Sequence, residues 1–486
     1  MTDTTASTAP PSSYRFVVLG LLFVVYAFNF IDRQILGILA PSIKADLQLT
    51  NTELGQLGGL AFALFYTTLG VPIAWLADRW DRTWIITISL TVWSGFTALC
   101  GYVSNFTQLF QARVGVGVGE AGGVAPSYSI ISDYFPPNER ARALAIYSFG
   151  IPVGSAAGIA IGGALAHAID WRVAFIVVGV AGLLVAPIFR IFVREPKRGG
   201  MDAKAADASA AAPKARPKFG PTSILLMLGA LTVFGIAYAF FIFRPQALLE
   251  PFGIPSNLVV WFYAGILLLG GLIGAGVAAR QIHANKPSFW FLSFGAASSS
   301  IMGYGIFFWM PTFLGQAFGF DTVEVSLYYA AILLVGGVAG VWLGGAVADH
   351  MGAKRSRYAL IPAAAFVLTL PCYVLGLLSN DPVLAFFLFL PPTAFGLVWL
   401  APVITAVQHL APAKQRTTAS ALFLFINNLI GIGLGTLIIG ALSDALAAQY
   451  GDQALRYSIL YGVGFYVAAA ILMFAAARTL QRDWVD

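Results

Sequence analysis

The feature that most limits what this chain can fold into is a succession of long apolar runs. They lie near residues 16–41, 54–77, 84–103, 107–135, 141–168, 171–193, 222–243, 258–279, 289–318, 323–348, 357–378, 383–410, 417–442 and 457–480. Each is long enough to cross the roughly 30 Å hydrocarbon core of a bilayer as a helix. Backbone amides in lipid must bond within their own segment, so fourteen such runs specify an all-α membrane protein. Charge is scarce to match, at 10% of residues against about a quarter in a soluble domain.

The few cations set the topology. With the N-terminus inside, four of the 28 Lys and Arg (Lys44, Arg172, Arg244 and Arg456) fall outside and two (Arg33 and Arg113) fall within the membrane. The rest are cytoplasmic, which obeys the positive-inside rule in every loop. The net charge of +6 is therefore a topology signal. Its implied partner is anionic lipid rather than nucleic acid. The first fifteen residues, rich in Ser, Thr, Pro and Ala, are expected to be disordered, and no cleavable signal precedes the first run. Cys100 and Cys372 lie in separate runs and are expected to pack, without a disulfide or metal site.

The run from Gln108 to Phe135 organises the rest. It carries two full charges, Arg113 and Glu120, seven residues apart and so about 20° apart on one helix face. Gly115, Gly119 and Gly122 fall on the opposite face, where small residues let a neighbouring backbone approach. An ionised group at bilayer depth costs roughly 3 kcal/mol or more, so the charged face should meet partners in a polar cavity. Asp32 and Arg33 in the first run lie at matching depth, and the four groups are expected to form one neutral cluster. Burial disfavours a carboxylate while a neighbouring guanidinium favours it, so Asp32 and Glu120 are the candidate proton carriers. A freed Arg33 or Arg113 could take a phosphate or carboxylate in bidentate fashion.

A weak internal repeat divides the chain. Pro41 to Asp78 recurs from Pro311 to Asp349, with Glu53 echoed by Glu324, and Pro136 to Arg140 recurs from Pro412 to Arg416. This predicts two six-helix halves, 16–193 and 287–486, with the substrate near the midplane between them. A basic cytoplasmic linker (194–221) and a two-helix insert without a repeat partner (222–286) separate them. Glycines at spacings of four (Gly150, Gly154, Gly158 and Gly162; Gly336, Gly340 and Gly344) are read as packing stripes.

The turn from Ala74 to Arg82 (AWLADRWDR) resembles the motif between the second and third helices of the major facilitator superfamily. Ala74 and Asp81 stand where glycines are usual, whereas the second copy, Gly345 to Arg355, keeps both. The Arg113 to Glu120 run, Asp32 with Arg33, and Gly303 to Phe313 (GYGIFFWMPTF) resemble the spinster lineage of lipid transporters. The resemblance covers both halves but not the insert. It implies a bacterial member with the major facilitator fold, alternating access and proton coupling. Asp78, Arg79, Arg82, Asp349 and Arg140 would serve the cytoplasmic gate.

The deep charges all belong to the first half, while the second offers Tyr304, Phe307, Phe308, Trp309 and Phe313. A cavity with one charged and one apolar wall suits an anionic head with a long tail. Arg33, Arg113, Tyr304, Phe308, Trp309 and Asn427 are therefore the candidate substrate residues. Asn427 and Asn428 could equally bond a neighbouring helix. Gly117-x-Gly119-x-x-Gly122 matches a dinucleotide fingerprint by chance, because no soluble strand precedes it. His167 and His409 are assigned core or interfacial roles, and Asn105-Phe-Thr107 is a sequon of little meaning without a known source. No nucleophile and base pair, metal cluster or phosphate loop is visible, so neither enzyme activity, metal nor cofactor is expected. The expected function is proton-coupled export or import of a lysophospholipid or sphingoid phosphate by a monomer. It would sit in a bacterial plasma membrane with both termini cytoplasmic. The alternatives are the same machine carrying a small polar organic anion, sugar or drug, and a non-transporting receptor or scaffold.

Overall fold

The computed structural model describes residues 13–77, 79–199, 201, six scattered positions between 269 and 279, 286–349, 354–411 and 416–485. Residues 1–12 of the expected disordered N-terminus, most of the linker and most of the insert lie outside the described residues, while Tyr14 and Arg15, expected to be disordered, already belong to the first helix.

The first half comprises α1 (Tyr14–Leu47), α2 (Asn51–Gly55), a π-helical turn (Gln56–Leu60), α3 (Ala61–Ala77), α4 (Arg82–Cys100) and α5 (Phe106–Glu120). It continues with α6 (Val124–Tyr134), α7 (Pro137–Ser148), α8 (Gly150–Ala168) and α9 (Trp171–Phe192). The second half comprises α10 (Pro287–Phe318), α11 (Thr322–Asp349), α12 (Arg357–Leu378), α13 (Pro382–Val398), α14 (Leu400–His409), α15 (Arg416–Tyr450), α16 (Ala454–Gly462) and α17 (Gly464–Asp483). Among the described residues, ten stretches are long and apolar enough to cross a membrane. Two of the fourteen expected runs lie outside the described residues, the last two merge into one stretch, and the run at 107–135 is broken.

That break corrects the reading of Gln108 to Phe135 as one helix. The chain turns at Ala121–Gly123, and α6 restarts at Val124. Pro126, three residues past Gly123, has no N–H to bond the carbonyl of Gly122, and the Gly122-Gly123 pair adds little helix drive. The same device recurs. Phe149 separates α7 from α8 three residues before Pro152, and Trp399 separates α13 from α14 three residues before Pro402. The Pro126 and Pro402 breaks fall at equivalent places of the internal repeat.

Repeat partners also share their caps. Glu53 Oε2 accepts the Thr50 N–H at 2.8 Å while Thr50 Oγ1 accepts the Glu53 N–H at 3.1 Å. In the second half Glu324 Oε2 accepts the Asp321 N–H at 3.0 Å and Asp321 Oδ1 accepts the Glu324 N–H at 2.8 Å. The repeated acids are thus capping residues that start equivalent helices. Helix α1 runs six residues beyond the expected end, through Pro41, and stops where Gln48 adopts a left-handed conformation (φ 51°).

Glycine stripes do pack helices. Gly154 lies on the Ala27 backbone, and a Cβ at Gly158 would sit 2.7 Å from the Ile31 carbonyl, which holds α8 against α1 in parallel register. Gly340 meets the Ala394 backbone likewise, joining α11 to α13. Gly119 fits on the Trp93 backbone and Gly115 under the Phe96 ring, so the glycine face of α5 is the one covered by α4.

Candidate functional site

With its glycine face on α4, α5 turns Arg113 and Glu120 toward α1. Arg33 Nε donates to Glu120 Oε2 at 2.9 Å, and Nη2 lies 2.9 Å from the same oxygen. Glu120 is fully buried, and its Oε1 has no hydrogen-bond partner among the described residues. The second pair is looser. Arg113 Nη1 stands 3.7 Å from Asp32 Oδ2, while Asp32 Oδ1 accepts from the Thr97 hydroxyl at 2.7 Å. Asp32 and Arg113 are each 1% exposed, so the two acids and two arginines meet in one buried cluster at the α1, α4 and α5 contact.

Arg33 is held by rings as well as by charge. Its guanidinium lies 4.7 Å from the Phe62 ring centre, 4.8 Å from that of Tyr66 and 5.2 Å from that of Phe30. These cation–π contacts orient the planar group at a cavity wall.

The cavity itself, of about 320 Å3, lies between the halves. The first half contributes Tyr26, Asn29, Arg33, Tyr66, Tyr128 and Ser155, and the second Ser300, Tyr304, Phe307, Tyr329, Asn427 and Asn428, among others. Among the described residues that line it, Arg33 is the only one with a charge. Seven tyrosines line it. Arg113 lines a separate pocket of about 30 Å3 with Arg33, Gln34, Phe308 and Thr436.

The expected substrate residues are thus dispersed. Arg33, Tyr304 and Asn427 line the main cavity, and Arg113 and Phe308 the small one. Trp309 lines neither: it is fully buried and its Nε1 donates to the Thr436 carbonyl at 2.8 Å, joining α10 to α15. A spacing of four, close to one turn, places Tyr304 and Phe308 on one side of α10, and Trp309 falls about 100° further round. The second wall also departs from the apolar one expected, because it carries Ser299, Ser300, Thr393, Asn427 and Asn428 beside its rings.

Of the predicted gate residues, Arg79, Arg82 and Arg140 sit at the opposite end of the first half from Asn51. Asp78 and the side chain of Asp349 lie outside the described residues. Arg79 is exposed in the turn after α3. Arg82 is 1% exposed and bound within its own half: Nε to Glu195 Oε1 at 2.7 Å, and Nη1 to Asp133 Oδ2 and Ser129 Oγ at 2.6 Å each. Arg140 Nη2 donates to the Ser132 carbonyl at 2.7 Å, across the α6 to α7 turn.

At the Asn51 end the halves close on each other. Asp444 accepts the N–H groups of Asn51 and Thr52, and the Thr436 hydroxyl donates to the Gly55 carbonyl at 2.6 Å. A Cβ at Gly55 would sit 2.6 Å from the Thr436 carbonyl, so only glycine permits this approach. Deeper, Gly37 lies against the Phe308 backbone and Gly337 against Pro152.

Residues missed from sequence include Asn29, Ser155, Thr97 and the lining tyrosines other than Tyr304. A helical spacing of four from Arg33 could have indicated Asn29.

The model of the Major Facilitator Superfamily matches residues 22–284 and 277–436. An MFS-type efflux pump of Mycolicibacterium smegmatis is 29% identical over 470 residues, 96% of this chain and 94% of that protein. Protein spinster homolog 1 of Xenopus laevis is 26% identical, over 94% of this chain and 81% of its own length. In structure the chain is similar to a bacterial homologue of the human lysosomal transporter Spinster in an inward-facing, unoccupied conformation. The TM-score is 0.73 at 28% identity, over 98% of this chain and 99% of that one.

Proposed function

The chain belongs to the major facilitator superfamily, and on that premise we propose that it is a proton-coupled transporter moving an amphipathic, lipid-like anion by alternating access. The observation that carries this is Arg33, the one charged side chain among the described residues lining the cavity, held to a wholly buried Glu120. An anionic head entering the cavity competes with Glu120 for the guanidinium. A carboxylate stripped of its countercharge at bilayer depth is costly, so Glu120 takes a proton as the head binds. Substrate and proton therefore bind together, and affinity for an anion rises as pH falls. Asp32, steadied by Thr97, stays ionised and balances Arg113, while the bound anion balances Arg33 once Glu120 is protonated.

The apolar lining beyond the head group, with Phe307, Ile306, Met310, Ile332 and Leu333, suits a tail. Closure at the Asn51 end leaves the other end as the route in, and the basic surplus marks that end as cytoplasmic. Tyr14 Oη donates to the Phe192 carbonyl and Lys286 Nζ to that of Asp483, so the starts and ends of both halves share this end. A bacterial plasma membrane with both termini inside fits that arrangement, and a monomer suffices in this proposal because one chain supplies both walls of the cavity.

A second reading, a small hydroxylated organic anion, is favoured by Ser299, Ser300, Thr393, Asn427 and Asn428 on the second wall. Uptake into proteoliposomes of a lysophospholipid and of a hexuronate, each with and without an imposed pH gradient, separates the two. Gradient-dependent uptake of the lysophospholipid alone supports the lipid reading. Uptake of the hexuronate alone sustains the second, and transport of neither overturns both.

A further inference from the structure

Two polar side chains of the cavity take no part in the charged cluster. Asn29, on α1, is 2% exposed, and both atoms of its amide lack a hydrogen-bond partner among the described residues. Ser155, on α8, is 1% exposed, and its hydroxyl is likewise unpartnered. Both line the main cavity. Their relation is set by the helix pair: Gly154 rests on Ala27 and Gly158 on Ile31, so the parallel register brings Ser155 to the level of Asn29.

Asn29 precedes Arg33 by four residues, which places it on the same face of α1, about 6 Å further along the axis. The amides across the cavity are already engaged. Ser300 Oγ donates to Asn427 Oδ1 at 2.9 Å, and Asn427 Nδ2 donates to Asn428 Oδ1 at 3.3 Å. A buried amide with neither its donor nor its acceptor matched costs free energy that a ligand group offering both would recover. Apolar residues of similar size would have served packing alone without that penalty.

We propose that Asn29 and Ser155 form a second, uncharged subsite that recognises a hydroxyl or amide carried by the substrate beside its anionic group. Asn29 can both donate to and accept from a hydroxyl, and Ser155 completes its shell. The substrate is thus an anion bearing a neutral polar group beside its charge, not a bare amphiphilic anion. This rests on Arg33 holding the anion.

The test uses the purified full chain in nanodiscs and two probes of equal tail length, a lysophosphatidate with its free hydroxyl and an alkyl phosphate without one. Equilibrium binding to the wild type should favour the lysophosphatidate on the order of tenfold, the usual worth of meeting a buried polar group. In Asn29→Leu that preference should fall to within about twofold, with alkyl phosphate binding unchanged, and Ser155→Ala should fall between. Equal binding of the two probes by the wild type overturns the subsite, as does weakening of both probes alike in Asn29→Leu and Ser155→Ala, since loss of packing is blind to the hydroxyl. If neither probe binds saturably, or Arg33→Ala leaves both untouched, the anion reading itself fails and the subsite falls with it.

Discussion

Asp444, near the end of α15, accepts the Thr52 backbone N–H at 2.7 Å and the Thr52 hydroxyl at 2.6 Å across the interface between the halves. A third contact, from the Asn51 N–H at 3.2 Å, completes a carboxylate cap on the start of α2 supplied by the other half of the molecule. These donors are orphans of a helix N-terminus, and the helix dipole adds to their pull on an anion. The contact exists only while this end is closed. Asp444→Ala should therefore shift the population away from that state by roughly 10-fold to 30-fold, the worth of one charge-assisted network. Spin labels at the exposed Ala45 and Gln449 report the change as a longer distance component. An unaltered distribution would show that packing of Gly55 on Thr436, not Asp444, holds the end shut.

Linkage between Glu120 and the substrate gives a sign. Under the proposed coupling of one proton to each anion bound, binding should tighten by up to about tenfold per pH unit as pH falls through the range where Glu120 changes state. Glu120→Gln mimics the protonated form: it should bind the anion at a pH-independent affinity and lose accumulation driven by a pH gradient, while retaining exchange. Asp32→Asn should weaken coupling less, because its partner Arg113, at 3.7 Å, does not line the main cavity, whereas Arg33, the partner of Glu120, does. Wild-type pH dependence in both variants would make the cluster a structural ion network.

How far the sequence foretold this varies residue by residue. Asp32, Arg33, Arg113 and Glu120 were legible because full charges inside apolar runs are rare and must find one another. Glu53 and Glu324 were legible as an echo but not as caps, since the echo does not say which amide each acid meets. Trp309 was assigned to the cavity and lies between α10 and α15 instead. α10 is apolar almost all round, so its sequence does not mark which ring faces inward. The break at Gly123 needed Pro126 and Gly122 to be weighed together. Asn29 and Ser155 carry no charge, and neutral polar residues in a membrane helix bond a neighbour as often as they line a site.

Arg82 was expected at the gate, yet its guanidinium binds Glu195, Asp133 and Ser129, and the Glu195 carboxylate also accepts the Arg82 and Thr83 N–H groups at the start of α4. This lashes α4, α6 and the segment after α9 into one unit. Arg82→Ala leaves two partly exposed carboxylates without their shared cation, a loss on the order of 1.5 to 3 kcal/mol, the worth of charge-assisted hydrogen bonds. The expected outcome is a fall in melting temperature, with transport per folded molecule largely kept. A variant of wild-type stability that is locked in one conformation would return Arg82 to the gate.

Arginine and lysine should not be interchangeable at position 33. The guanidinium lies beside the Phe62 and Tyr66 rings, at 4.7 and 4.8 Å from their centres, and bonds Glu120 through Nε. Its planar fork can present two N–H groups to a phosphate or carboxylate, whereas an ammonium offers a point charge on a flexible stem. Arg33→Lys keeps the charge but loses the bidentate geometry and part of the ring contact, so anion affinity should fall on the order of tenfold or more. Arg33→Ala should fall further and erase discrimination between a phosphorylated amphiphile and its neutral alcohol. Tail recognition is separate: each methylene buried against Phe307 and Leu333 contributes about 0.8 kcal/mol, roughly fourfold in affinity, and that increment should survive both variants. Calorimetry with a chain-length series on the three proteins measures head and tail terms independently. Equal affinities of the wild type and the Arg33→Lys variant would mean that charge alone holds the head, and a flat dependence on tail length would favour the small hydroxylated anion.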